Sequence, residues 1–331
     1  MATYQELLDY ACAHPDEFSS LIADVLPRIT KVGFDPNDQS GKYFRQWQQA
    51  GITILANHYY SIIPDLNNLR AEDLASEWDM SSIELRIESQ RNLLKDLSMS
   101  KNEYSSLLGR DSGSTGIYRP DGAYPPVDAM LTYAMLRYHK PRRVIEIGSG
   151  MSTLLMLEAL EANKSEGSNY EMTSIDPYVD PVAAYSPVGT IRHIGTPLQT
   201  VDLSVFDELG SGDVLFIDST HALTCDPRND VFIEYFKIIP NLKPGVFVHV
   251  HDIFLPYGYP SSWILDRRIF WNEQYILHSF LSYNREFRIL LGAQLLKRHC
   301  KSDLMRFLPN NISTIDGGSF WFARNEQVSL S

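Results

Sequence analysis

Two short stretches concentrate side chains that can move protons or hold a metal ion: FIDSTH, Phe216–His221, and HVHD, His249–Asp252. Each belongs to an apolar run of the length and composition of a buried strand, DVLFID and GVFVHVHD. Alternation along a strand puts His249 and His251 on one face and Val250 on the other, while His221 falls just past its strand, in a loop. If the two strands are neighbours, Asp218 and His251 converge over one pocket. Two chemistries fit. A histidine near its ordinary pKa accepts a proton at neutral pH, so His221 or His251, with Asp218, is a candidate general base. Alternatively, Asp218, His251 and Asp252 hold a divalent ion. A lone buried histidine is usually structural, but three beside two acids at strand ends are harder to explain that way.

Upstream lies RRVIEIGSGMSTLLMLEAL, Arg142–Leu160, a strand, a glycine-rich turn and an apolar helix. Such turns cradle ligands. No lysine follows Gly150, which disfavours a nucleoside triphosphate. A dinucleotide turn reads GxGxxG; here Thr153 stands in the sixth position, and Glu146 sits where a pyrophosphate would approach. A carboxylate beside the turn suits a cationic ligand, and S-adenosyl-L-methionine (SAM) carries an ammonium and a sulfonium. Asp176, ending the next strand, is placed to accept both ribose hydroxyls.

The elements that must position these residues alternate. VDAMLTYAMLRYHK, STLLMLEALEAN and DVFIEYFKIIPNL read as helices; RRVIEIG, YEMTSID, TIRHIG, DVLFID and GVFVHVHD read as strands. FRILLG and GSFWFARN close the chain as two more strands, the last an edge candidate. This order predicts a parallel sheet with helices on both faces, whose ligands bind beyond the carboxyl ends of the strands. Earlier, residues 1 to about 30 read as helical until GFDPNDQSGK breaks the pattern. SSIELRIESQRNLLKDLSM reads as a helix capped by Ser81, with Glu84 three residues on, and LGRDSGSTGIYRPDGAYPP as loop. The 331 residues are 44% hydrophobic and 21% charged, as in a soluble globular protein. Their net charge of −12 disfavours nucleic acid and anionic membranes as partners. Cys12, Cys225 and Cys300 form no CxxC pair, so neither a zinc site nor a disulfide framework is expected. With no secretory leader and no run of about 18 apolar residues, the expectation is a cytoplasmic protein.

Taken in order, VIEIGSGMST, SIDP, LFIDSTH and GVFVHVHDI resemble the class I SAM-dependent methyltransferases. The closest likeness is to a bacterial small-molecule branch, akin to the macrocin and catechol O-methyltransferase groups, and it covers roughly residues 124 to 325. WQQAGITILANHYYSIIPD resembles the helical extension of that branch. The resemblance implies an α/β, Rossmann-like, seven-stranded and mostly parallel sheet of order 3-2-1-4-5-7-6. It divides the chain into a helical N-terminal extension or lid, 1–123, and a methyltransferase domain, 124–331. It implies that Glu146, Gly148, Ser149, Gly150, Ser152, Thr153, Asp176, Thr196 and Asp218 bind SAM. The catechol group holds magnesium at the ends of the same two strands; His251 departs from that pattern and favours iron or zinc at a metal site. The expected function is methyl transfer to a small molecule, as an O-methyltransferase of natural-product biosynthesis, with a homo-oligomer left open. Aromatics in HYYSIIPD and WILDRRIFWNEQY are candidate walls for an acceptor with an apolar body. The alternative is a metal-dependent oxygenase or hydroxylase on the same fold, with His221, His251 and an acid as a facial triad. A nicotinamide oxidoreductase and a non-catalytic SAM-binding protein are further rivals.

Overall fold

The computed structural model describes residues 4–29, 40–55, 57–108, 124–178, 191–310 and 312–326. Of the expected break GFDPNDQSGK, residues 33–39 lie outside the described residues and Ser40 opens a helix; of the expected loop LGRDSGSTGIYRPDGAYPP, residues 109–123 lie outside them. The chain divides into two compact units, Met1–Arg70 and Ala71–Ser331. Among the described residues the first holds three helices, α1 (Tyr4–Ala13), α2 (Pro15–Ile29) and α3 (Ser40–Gln49).

In the second unit, a single helical turn at Ala71–Leu74 is followed by α4 (Ile87–Leu97), α5 (Lys101–Leu108) and α6 (Pro126–His139). Seven strands follow: β1 (Arg143–Ile147), β2 (Glu171–Ile175), β3 (Ile191–Ile194), β4 (Val214–Ile217), β5 (Phe247–Val250), β6 (Phe287–Gly292) and β7 (Phe320–Arg324). They pair in the order β3-β2-β1-β4-β5-β7-β6. β1 to β5 are parallel, and β7 runs antiparallel to both β5 and β6. This is the expected sheet. FWFARN is not its edge, however. Phe320, Trp321, Phe322 and Ala323 are all buried, because β7 is inserted between β5 and β6.

Both faces of the sheet are covered, which is why the strands read as near-continuous apolar runs. Alternation sends Val144, Phe216 and Trp321 into one layer, packed on α6 and on α7 (Met151–Ser165). Ile145, Ile147, Leu215, Ile217, Val248 and Val250 enter the other. Leu94 and Leu97 of α4 and Tyr104 and Leu107 of α5 join the first layer.

Two helices differ from expectation. α4 starts at Ile87 rather than after Ser81. Met80 and Ile83 belong to one apolar layer and Leu94 and Leu97 to the other, so the chain must turn between them. Arg86, with φ 52°, makes that turn. The helix between β4 and β5 is one α-helical turn, α8 (Asp230–Ile233), continued by a π-helical segment, Glu234–Ile238, and a 3₁₀ turn. Such irregular turns are frequent at functional sites; this one buries Glu234 and Tyr235. Among the described residues no helix is long and apolar enough to cross a membrane.

Candidate functional site

At the carboxyl ends of β1, β2 and β4, a cavity of about 400 Å³ is lined by residues that include Gly148, Asp176, Leu198, Asp218, Ser219 and Asp230. Gly148 has φ +85°, and a Cβ there would stand 2.0 Å from the Asp218 carbonyl oxygen. Only glycine lets the two strand ends approach so closely. Asp176 accepts the backbone N–H of Ser149 (2.8 Å) and of Tyr178 (2.6 Å), which ties the turn to the end of β2. The Ser149 hydroxyl is buried without a partner, as expected of a group that meets a ligand or water. Thr196 is exposed and outside the lining, which passes instead through Pro197, Leu198 and Gln199.

Glu146 does not do what the sequence predicted. It is fully buried beneath the turn, where Ser152 and Thr153 donate their hydroxyls to its two oxygens at 2.8 and 2.7 Å. Thr153 in turn accepts the Gly150 N–H at 3.0 Å. Burial pushes the Glu146 carboxyl up to about 8. Glu146, Ser152 and Thr153 therefore brace the turn from within, and none of them lines the cavity. The carboxylates that do line the cavity are Asp176, Asp218 and Asp230.

Beside this cavity, Asp218 organises the histidines. His221 Nε2 and His251 Nδ1 both lie 3.2 Å from one oxygen, Asp218 Oδ1. The remaining nitrogens are held by two more buried carboxylates: His221 Nδ1 by Glu273 at 2.8 Å and His251 Nε2 by Asp128 at 3.1 Å. The result is an unbroken chain, Asp128–His251–Asp218–His221–Glu273. A neutral imidazole has one N–H; carboxylates on both nitrogens call for two. Burial pushes the His221 imidazole down, but its hydrogen bonds to Asp218 and Glu273 and their charges push it further up, to about 10. Burial likewise opposes, and the Asp218 and Asp252 charges overcome it, in raising His251 well above the histidine range. Asp218 is held below the carboxylate range by the two imidazoles, against its burial. Neither histidine is therefore the free base near its ordinary pKa that the sequence predicted. Burial raises Asp252; its carboxylate lies 3.9 Å from His221 Nε2 and 3.7 Å from His251 Nδ1.

Both His221 and Asp252 have left-handed backbones, φ 57° and 54°. Non-glycine residues in that region cost of order 1 kcal/mol or more and cluster at functional loops. His249 is separate from the cluster's hydrogen bonds: it lies between the rings of Phe216 (4.3 Å) and Trp321 (4.7 Å) and meets the Ser319 hydroxyl at 2.9 Å. It is a core residue. Among the described residues one group of ligand atoms lies close enough to hold a metal ion, Asp218, His221 and Asp252, within 4.8 Å of one another. His251, expected in that set, is not in it. With one histidine in the group, the two-histidine facial triad of the oxygenase alternative is not formed.

Sequence reasoning missed Asp128 and Glu273 as partners of the histidines. Asp128 was legible as a lone acid in an apolar helix; it also accepts the backbone N–H groups of Gly318 and Ser319 at 2.8 Å each. Trp271 lies 4.4 Å from the His221 ring and meets Trp263 edge-on at 5.3 Å, within the segment singled out for its aromatics. In the first unit His58, Tyr59 and Tyr60 pack ring on ring, and Tyr59 is exposed.

Residues 145–253 match the family model described as a methyltransferase domain. The matched segment runs from β1 to just past β5 and includes the glycine turn, Asp176, Asp218 and both site histidines. The chain is 26% identical over 174 residues to an uncharacterized protein of Archaeoglobus fulgidus, covering 49% of this chain and 76% of the other. Among solved structures it is similar to the SAH-bound methyltransferase PaMTH1 of Podospora anserina, with 19% identity, a TM-score of 0.39, and 60% and 78% of the two chains covered. It is also similar to the plantazolicin methyltransferase BpumL in complex with SAH, with 14% identity, a TM-score of 0.38, and coverage of 73% and 98%. Residues 145–253 thus match a methyltransferase domain and lie within a seven-stranded, mostly parallel, Rossmann-like sheet.

Proposed function

We propose that this protein transfers a methyl group from SAM to an oxygen of a small-molecule acceptor with an apolar body, in natural-product metabolism. The observation that carries the reading is the carboxylate–imidazole chain beside the cavity. When bound, SAM supplies an electrophilic methyl on a sulfonium. Asp176 and the turn at Gly148 and Ser149 hold the nucleoside end, and the Asp218 carboxylate provides negative charge at the end of β4. With both imidazoles doubly protonated, Asp128, Asp218, Glu273 and Asp252 face two cations, and Asp252, whose carboxyl burial raises, takes up the proton that an acceptor hydroxyl must lose. His221, His251 and Asp218 are thus catalytic as an assembly rather than as one free base. Trp271 and Trp263 form the apolar wall. The division into an extension over 1–123 and a methyltransferase domain over 124–331 is part of this proposal.

The test is incubation with methyl-labelled SAM and a panel of phenols, catechols, enols and amines. Label recovered as a methyl ether supports the reading; label recovered only on nitrogen or carbon, or none on any compound while SAM binds, refutes it. A second reading, in which Asp218, His221 and Asp252 hold a divalent cation for the same reaction, is favoured by their convergence. Activity lost to a chelator and restored by a divalent ion would establish it.

A further inference from the structure

We infer that Glu273 is a positioning residue for His221, fixing which imidazole nitrogen faces Asp218. Glu273 opens α10 (Glu273–Leu281; α9 is Ser261–Leu265) and is fully buried. One of its oxygens meets His221 Nδ1 at 2.8 Å, and the other accepts the Tyr235 hydroxyl at 3.0 Å, so the carboxylate is itself held. The backbones are clamped as well. The N–H groups of Asn272 and Glu273 donate to the His221 carbonyl at 3.0 and 3.2 Å. The Asn272 side chain brackets Leu223, accepting its N–H at 2.6 Å and donating to its carbonyl at 3.1 Å. The left-handed backbone at His221 is thus over-determined by the start of α10. An imidazole without such a partner can turn over and present either nitrogen. With Nδ1 pinned, Nε2 is left toward Asp218 and Asp252, and the Trp271 ring packs against the imidazole. A carboxylate that orients a working imidazole acts through that imidazole and touches no substrate.

The consequence for rate rests on the methyl-transfer reading; the geometry does not. The direct test is NMR of the full chain labelled with ¹⁵N-histidine and loaded with S-adenosyl-L-homocysteine. One Nδ1 proton, assigned to His221 by its loss in His221→Gln, is expected far downfield, as for a short N–H···O bond. Glu273→Gln should shift it upfield or remove it while the His251 signals stay. Affinity for S-adenosyl-L-homocysteine within about three-fold of the parent shows that the variant folds. Should Glu273→Gln not fold, Tyr235→Phe, which removes the other hydrogen bond to the carboxylate, should still move the same proton. A parent protein without that proton, or a proton unmoved by these variants, overturns the inference. With an acceptor in hand, Glu273→Gln should lower kcat about ten-fold or more at nearly constant KM for SAM, and add nothing in a His221→Ala background. Additive losses would overturn it too. A failed transfer screen with the NMR result intact would sink the function and leave this inference standing.

Discussion

At the scale of single residues, Asp176 and Asp218 end neighbouring regions of one sheet yet are bonded for different work. Asp176 accepts backbone N–H groups from the turn and from Tyr178, so it shapes the cavity floor and has lone pairs left for a ligand. Asp176→Ala should weaken SAM binding about ten-fold or more by calorimetry, the scale of one hydrogen bond to a charged group. An unchanged affinity would remove Asp176 from the site. Asp218 instead receives both imidazoles on one oxygen. Asp218→Asn keeps the shape and deletes the charge between two cations. Breaking a buried pair by removing one partner costs about 3–5 kcal/mol, so this variant should lose stability as well as turnover. A variant as stable in urea as the parent would show that the imidazoles are not charged as the geometry requires.

At the scale of elements, the two glycines of the turn separate close approach from mere turn-making. An added methyl at Gly148 meets the Asp218 carbonyl carbon and oxygen on β4's end; one at Gly150 meets nothing within 4 Å. Gly148→Ala should therefore drive β1 and β4 apart at their carboxyl ends, cut SAM affinity about a hundred-fold or more, and lower stability beyond the ~1 kcal/mol of an ordinary glycine replacement. Gly150→Ala should leave stability within about 1 kcal/mol. Equal urea midpoints for the two variants would contradict this account. The turn was legible in the sequence because strand, glycines and helix are contiguous there. So were the strands, since burial on both faces leaves apolar runs, and so was the convergence of Asp218 and His251. What was not legible depends on distant segments. Asp128 and Glu273 reach the histidines across 123 and 52 residues, and no local pattern reports such pairing. Glu146 was misjudged for the same reason: spacing shows an acid beside a turn, not that Ser152 and Thr153 fold back to cover it. Nor could alternation place FWFARN, because insertion between β5 and β6 is a property of the whole sheet.

At the scale of the molecule, stability should fall on both sides of a pH optimum, because two buried groups titrate in opposite senses. His139 closes α6 with its ring 4.4 Å from Phe247 and its Nε2 buried without a partner. Burial, with the nearby charge of Arg288, pushes its imidazole down to about 4 from an ordinary value of 6.5. Between those values the unfolded chain binds the proton and the folded one does not, so stability is intact above about pH 6.5 and is lost as pH falls toward 4. Glu146 runs the other way. Its carboxyl, pushed up to about 8 by burial, keeps its proton in the folded state where the unfolded chain has lost it, so stability is lost as pH rises from about 4.5 to 8. Other carboxylates titrate in the same acid range, so the contribution of His139 is read as a difference. His139→Phe removes the charge and retains an aromatic ring against Phe247. From pH 7 to pH 4.5 its urea-derived stability, relative to the parent, should rise by roughly 2–3 kcal/mol, the scale of a shift of about two pKa units. Parallel curves for the two proteins over that range would mean that His139 takes up its proton in the folded state without cost, and that the end of α6 is open to water.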